Sequence, residues 1–166
     1  MSQSTPQEPL GVSADEQQMI ARSKILVVDD NPQNLELLVA YLESLGCQVI
    51  TAVDGLEAID RVRAETPDLI LLDVMMPRMS GFEVCRKLKT DPETRDIPIL
   101  MVTALNEMSD IERGVQSGTD DFVSKPVNRL ELVTRVKSLL RLRHLNDELE
   151  RTLAYLNEVE SVRPPE

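Results

Sequence analysis

The sequence has few of the residues that usually bind transition metals or form disulfides. It contains 2 cysteines and 1 histidine in 166 residues. Cys47 and Cys85 lack the spacing of a metal-binding pair, and we expect both to be small core residues rather than metal ligands or a disulfide. His144 is isolated, so we expect it on a helix surface. These absences argue against a structural zinc site.

Long apolar runs and an excess of basic residues are also missing. No run approaches the roughly 18–20 apolar residues that span a membrane, and no basic region followed by an apolar stretch marks a secretory signal. We therefore expect a cytoplasmic protein without a membrane segment. The net charge is −11, with 18 basic against 29 acidic residues. Because nucleic-acid affinity comes mainly from neutralised phosphates, this charge argues against direct nucleic-acid binding.

The first residues show no sustained apolar period. Residues 1–22 are polar and include two prolines, which is typical of a flexible N-terminal arm. Ser13 and Glu16 have the spacing of a capping box, but little apolar surface follows to hold a helix in place. The predicted organisation is a flexible arm at 1–22, a folded domain at 23–141, a coiled-coil helical extension at 142–160 and a tail at 161–166.

From residue 24 onward, short apolar runs alternate with segments that have helical spacing. The apolar runs are typical of strands buried on both faces of a parallel sheet, and they occupy residues 25–28, 49–53, 69–72, 99–102 and 122–123. The first helical segment begins with the capping pair Asn31-Pro32 and ends at Gly46. Five successive βα units predict a doubly wound, flavodoxin-like α/β fold with five helices. For its five-stranded parallel sheet we predict the order 2-1-3-4-5.

Polar residues stand at the carboxyl ends of four predicted strands. Asp29 and Asp30 follow the first strand, Asp73 the third, Thr103 the fourth and Lys125 the fifth. Ligands bind at this edge of a doubly wound sheet. Three carboxylates there repel one another and need a cation, and carboxylate ligands without nearby His or Cys indicate Mg²⁺ rather than zinc. The lysine and the hydroxyl suit a phosphoryl group, for which an aspartate can be the nucleophile.

These residues resemble the response regulator receiver domain of two-component signalling. The matching motifs are Asp29-Asp30, Asp73-Val-Met-Met-Pro77 with Ser80-Gly81, Thr103-Ala104 and Lys125-Pro126. The resemblance extends from about residue 24 to residue 140. It implies a phosphoacceptor switch rather than a turnover enzyme, in which Asp73 accepts a phosphoryl group from a histidine kinase or a phosphotransfer protein.

The resemblance also implies individual roles at the phosphoacceptor site. Asp30, Asp73 and the carbonyl oxygen of Met75 would bind Mg²⁺ directly, whereas Asp29 would act largely through bound water. Lys125 would pair with phosphoryl oxygens.

Two further residues and one peptide bond match the switch of the family. Thr103 would move inward and donate a hydrogen bond to the phosphoryl group. Phe122 matches the aromatic residue that turns inward as the threonine moves. The Lys125–Pro126 peptide bond is expected to be cis.

The last predicted helix continues beyond the folded domain. Its apolar positions keep a 3,4 spacing with no Gly or Pro before Pro164, and one of them is polar; the positions are Leu142, Leu145, Leu149, Thr152, Leu156 and Val159. This spacing predicts a coiled coil. A stripe of this length needs a partner, and we expect a homodimer through this helix. The alternative is an amphipathic tail that lies on its own domain.

Two other functions remain open. The chain fits the N-terminal receiver part of a larger regulator with an enzymatic output domain. A Mg²⁺-dependent phosphatase with an aspartyl-phosphate intermediate is less favoured, since dehalogenase-type phosphatases carry an acid two residues after the nucleophile, where this chain has Met75.

Overall fold

The computed structural model describes residues 13–104 and 108–162. Its centre is a five-stranded sheet with the order β2-β1-β3-β4-β5, and all four neighbouring pairs are parallel. The strands are β1 (Lys24–Val28), β2 (Gln48–Ala52), β3 (Leu69–Asp73), β4 (Ile99–Thr103) and β5 (Asp121–Ser124). The predicted flavodoxin-like order is confirmed.

Five helices follow the strands in alternation, as predicted, and one further helix precedes β1. The helices of the described residues are α1 (Ala14–Arg22), α2 (Pro32–Glu43), α3 (Gly55–Glu65), α4 (Gly81–Thr90), α5 (Met108–Ser117) and α6 (Arg129–Ser161). Helices α3 and α4 pack on one face of the sheet and α2 and α6 on the other. With right-handed crossovers, this follows from the reversal of the strand order after β2.

The core consists of two apolar layers separated by the sheet. Successive side chains of one strand point to opposite faces, so that Leu26 and Val28 enter one layer while Ile25 and Val27 enter the other. All five residues of β3 and of β4 are buried. The edge strand β2 is mostly half-buried, because only one side of it is paired; for that run, burial on both faces was too strong a prediction.

Helix α1 corrects the prediction that residues 1–22 form a flexible arm. The Ser13 hydroxyl accepts a hydrogen bond from the Glu16 N–H and caps the helix. Ile20 is 2% exposed and belongs to the same buried cluster as Leu140 of α6. Glu16 also pairs with Arg141. The apolar surface around α1 therefore comes from residues far along the chain as well as from β1 and α2; residues 1–12 of the predicted arm lie outside the described residues.

Helix α6 is continuous over 33 residues, which corresponds to roughly 50 Å at 1.5 Å per residue. Its first part is anchored in the core by Leu132, Val136, Leu139 and Leu140. Arg141 and Arg143 still contact Glu16, Asp68 and the Asp96 carbonyl. Residues 148–162 are exposed throughout, so this last part of the helix does not lie on its own domain as an amphipathic tail. None of the described helices is both long and apolar enough to cross a bilayer.

The extension of α6 exposes a stripe of six apolar side chains, each about half accessible to solvent: Leu142, Leu145, Leu149, Leu153, Leu156 and Val159. We call this set the apolar stripe. The predicted 3,4 spacing missed Leu153, because it placed the neighbouring residue Thr152 in the stripe instead. Leu153 lies four residues after Leu149 and three before Leu156, so it belongs to the same side of the helix.

Candidate functional site

The sheet brings the predicted polar residues to its carboxyl edge. Asp73 is the last residue of β3 and Thr103 the last residue of β4. Thr103 pairs with Ser124 of β5, so Lys125 stands one residue beyond the sheet. Asp29 and Asp30 directly follow β1. The carboxylates of Asp29, Asp30 and Asp73 each offer an oxygen within 4.8 Å of the others.

Asp29 is fully buried, and within the described part of the chain only one of its two carboxylate oxygens accepts a hydrogen bond. Its Oδ1 accepts a hydrogen bond of 2.9 Å from the Asn31 N–H, and Asn31 in turn caps α2. Its Oδ2 has no hydrogen-bond donor among the described residues and lies 3.7 Å from Lys125 Nζ. A buried carboxylate oxygen without a hydrogen-bond donor costs desolvation free energy, and a bound cation would offset this cost.

Asp73 lies at the centre of the cluster and is 3% exposed. Lys125 Nζ donates to Asp73 Oδ1 over 3.1 Å. Burial raises the pKa of Asp73, and the charge of Asp29 raises this pKa further. The hydrogen bond and charge of Lys125 and the Met75 N–H act in the opposite direction. The carboxylate is therefore poorly stabilised by the protein alone.

The donor set fits Mg²⁺. Among the described residues, three carboxylates lie around the Lys125 ammonium group, which leaves excess negative charge, and the buried Asp29 Oδ2 accepts no hydrogen bond. Asp30 is exposed, so the cluster is open to water on one side. Mg²⁺ prefers a few carboxylates and retains several waters.

The loop between β3 and α4 depends on a close approach at Gly81. A Cβ atom on Gly81 would lie 2.8 Å from Val74 Cα and still closer to the Asp73 carbonyl oxygen. The Gly81 N–H donates to the Val74 carbonyl over 3.0 Å. Glycine thus lets the start of α4 pack against the end of β3 beside the acidic cluster. The Met75 side chain is 65% exposed, whereas its backbone N–H forms a hydrogen bond with Asp73.

Thr103 and Phe122 lie on neighbouring strands beside this cluster. Thr103 is buried, whereas Phe122 is half-buried. Both line a cavity of about 10 Å³. The Lys125 N–H donates to the Thr103 carbonyl over 2.8 Å, and the Lys125–Pro126 bond is cis, as the resemblance implies.

Fold and site together define a receiver domain: a doubly wound sheet whose carboxyl edge carries three carboxylates and a lysine. A family model described as "Response regulator receiver domain" matches residues 25–137. The chain belongs to the response regulator receiver family. It is thus a receiver domain of two-component systems, a family that interacts with histidine kinases or phosphotransfer proteins.

Curated relatives support the same family. The chain is 49% identical over 127 residues to response regulator PleD of Caulobacter vibrioides, covering 76% of this chain and 28% of PleD. It is 44% identical over 135 residues to the Bacillus subtilis transcriptional regulatory protein PhoP, covering 76% of this chain and 55% of PhoP. The chain therefore spans between about a quarter and just over half of these relatives.

Solved structures agree with the fold. A putative response regulator from Chloroflexus aurantiacus has a TM-score of 0.70 at 34% identity, covering 72% of this chain and 98% of that chain. The receiver domain of the sensor histidine kinase PA1611 from Pseudomonas aeruginosa has a TM-score of 0.67 at 32% identity, covering 72% and 98% respectively. That structure has a magnesium ion coordinated in its active site cleft.

Proposed function

We propose that this receiver domain is a Mg²⁺-dependent phosphoacceptor switch and that Asp73 is the acceptor. The observation that carries the proposal is the buried Asp73 carboxylate, held 3.1 Å from Lys125 within a cluster of three carboxylates. The donor would be the phosphohistidine of a histidine kinase or of a phosphotransfer protein.

In the proposed reaction, a carboxylate oxygen of Asp73 attacks phosphorus. The new O–P bond forms as the P–N bond of the phosphohistidine breaks, and the imidazole takes a proton from solvent. Mg²⁺, when bound, neutralises charge on the phosphoryl oxygens. Asp29, Asp30, Asp73 and the Met75 carbonyl would hold it.

The remaining polar residues of the site orient the phosphoryl group. Lys125 is already shared between two carboxylates, so one of its contacts can pass to a phosphoryl oxygen. The Thr103 hydroxyl would donate to another oxygen. Both interactions are strongest when the phosphoryl group carries its full negative charge. They would therefore stabilise the phosphorylated form of the domain.

Phosphorylation would act as a switch by shifting a pre-existing equilibrium. Thr103 and Phe122 would move inward and reshape the surface formed by α5, β5 and α6. Because Phe122 belongs to β5 and α6 follows that strand closely, the change reaches the base of the long helix.

The proposed partner of the long helix is a second copy of this chain. The apolar stripe is exposed on a helix that leaves the domain, and its members recur every three or four residues, as along one side of a coiled-coil helix. Leucines repeated along such a helix are best buried against the same stripe of a twin helix. We place this homodimer in the cytoplasm and propose no direct contact of this chain with nucleic acid.

The acceptor is tested by intact-mass spectrometry after exposure to acetyl phosphate and Mg²⁺. We expect one added phosphate on the wild type, and none on Asp73→Asn or without Mg²⁺. Light scattering with beryllofluoride then tests whether activation changes the oligomer. No phosphate on the wild type under any condition would contradict the proposal.

A second candidate is supported by the coverage of the relatives. Because the chain matches only 28% of PleD, it is also proposed to be the receiver part of a longer regulator with an enzymatic output domain. Reading the coding sequence beyond residue 166 for a stop codon separates the two. An aspartyl-phosphate phosphatase is less supported because Met75 replaces the required acid; multiple turnover of a small phosphate ester would reverse this order.

A further inference from the structure

Gly114 of α5 is in direct contact with the ring of Phe122. A Cβ atom built on Gly114 would lie 2.5 Å from Phe122 Cε1 and still closer to Cζ, whereas Met101 Sδ, the next neighbour, would be at an ordinary 3.5 Å. Real Cβ atoms essentially never come so close to another heavy atom. The space of a side chain at position 114 is therefore occupied by the aromatic ring.

The backbone of α5 does not itself require a glycine at this position. Gly46 and Gly118 have φ values of +71° and +93° and end helical segments, but Gly114 lies within a helix and has no such conformation. A glycine inside a helix is less favourable than alanine. What requires the glycine here is the ring, because alanine would fit the helix but not the space beside it.

The position of this ring is connected to the functional site. Phe122 pairs in register with Met101 of β4 and packs partly against the buried layer that contains it. The ring and Thr103 line the same small cavity. A displacement of the ring therefore changes the space next to Thr103, which is two residues from Met101 on the same strand.

We propose that Gly114 is a positioning residue: it admits the Phe122 ring against α5 and thereby sets the balance between the two forms of the switch. A side chain at position 114 forces the ring away from α5 and toward solvent. The phosphorylated form, which has the ring inward, then becomes less populated. The part of this inference that concerns phosphorylation rests on the proposed function.

The ring position can be observed directly, because the chain contains only 2 phenylalanines. In protein labelled with ¹³C-phenylalanine, the two ring signals belong to Phe82 and Phe122, and Phe122→Leu assigns them. In Gly114→Ala we expect the Phe122 signal to shift and its nuclear Overhauser contacts to the Met101 methyl group to weaken. This readout uses the resting protein and needs no phosphorylation.

The effect on the switch is measured by titrating beryllofluoride in the presence of Mg²⁺. We expect Gly114→Ala to raise the beryllofluoride concentration at which half of the protein is in the activated form by about fivefold or more. This factor corresponds to the low end of the usual free-energy cost of overpacking a core. In the Phe122→Leu background the same substitution should change it by less than about twofold. Val115→Ala, at an exposed neighbouring position on α5, is the matched control and should change nothing.

Each outcome decides between a ring contact and a general effect on the helix. An equal shift in both backgrounds, or unchanged contacts between Phe122 and Met101, would overturn the proposal. If Gly114→Ala does not fold, the double variant must fold, because it lacks the clash; failure of both also overturns it. If the wild type binds no beryllofluoride and takes no phosphate, the proposed function falls, while the ring signals still decide the role of Gly114.

Discussion

Replacing Lys125 by methionine removes the ammonium group between Asp29 and Asp73 and keeps a side chain of similar length. Lys125 Nζ lies 3.1 Å from Asp73 Oδ1 and 3.7 Å from Asp29 Oδ2. With an effective dielectric constant of about 20, these attractions amount to about 5 and about 4 kcal/mol. The two carboxylates, whose ligand oxygens lie within 4.8 Å, repel each other by about 3 kcal/mol or more on the same scale.

The net loss is smaller than these sums, because the desolvation of the lysine is recovered when it is removed. Losing one partner of a buried ion pair costs about 3–5 kcal/mol. Lys125 retains 26% side-chain exposure while the carboxylates have 4% or less, so we expect the low end, about 3 kcal/mol. Bound Mg²⁺ supplies positive charge in place of the lysine. With Mg²⁺, the loss of stability caused by Lys125→Met should therefore be less than half of the loss without it.

The assay is urea unfolding followed by circular dichroism, once with EDTA and once with saturating Mg²⁺. Lys125→Arg keeps the charge and should lose much less stability than Lys125→Met. Lys87→Met, at an exposed position on α4, controls for the general loss of a lysine. A loss below about 1 kcal/mol in EDTA, or an equal loss with and without Mg²⁺, would refute the electrostatic reasoning.

Three further predictions concern other parts of the molecule. Ile20→Ala should lower the free energy of unfolding by about 2–4 kcal/mol in urea, because a buried isoleucine leaves a cavity; a flexible arm would show no change. Burial and the charge of Asp29 raise the pKa of Asp73 in the folded protein. At a pH above this raised pKa, the ionised carboxylate destabilises the fold. At a pH below the usual aspartate pKa, Asp73 is protonated in both the folded and the unfolded state, and this cost is absent. In EDTA, thermal unfolding of Asp73→Asn should therefore show a gain over wild type at neutral pH that disappears as the pH falls. Leu153→Asp should weaken self-association by about tenfold or more in analytical ultracentrifugation without lowering the Tm of the monomer.

The sequence was sufficient for the alternation of strands and helices and for the edge that carries the site. Both follow from local patterns: apolar runs identify strands, and the residue after each run must lie at the carboxyl edge. The sheet order was chosen from the few orders that such folds adopt. Asp29, Asp73 and Lys125 come together for this reason, although they are distant along the chain. Their individual roles in phosphoryl transfer remain predictions.

Features that depend on contacts between distant segments could not be read in the same way. Ile20 is the one buried residue of α1, and the cluster that contains it is formed by β1, α2, α6 and the central strands. Gly81 and Gly114 each mark a close approach of two elements, which leaves no periodic pattern in the sequence. Leu153 was missed for a different reason, since a strict 3,4 alternation assigns its place to Thr152.

Helix α6 also has a mechanical consequence. Its base is held by core leucines and by the pairs of Arg141 with Glu16 and of Arg143 with Asp68, while the exposed segment beyond Asp147 projects for roughly 20 Å at 1.5 Å per residue. The anchored base is a fulcrum and the projecting segment is a lever arm. A tilt of about 5° at the fulcrum moves the tip by about 2 Å at this length. Small rearrangements beside β5 are thus magnified by geometry alone, and they are largest at the end of the helix farthest from the chemistry.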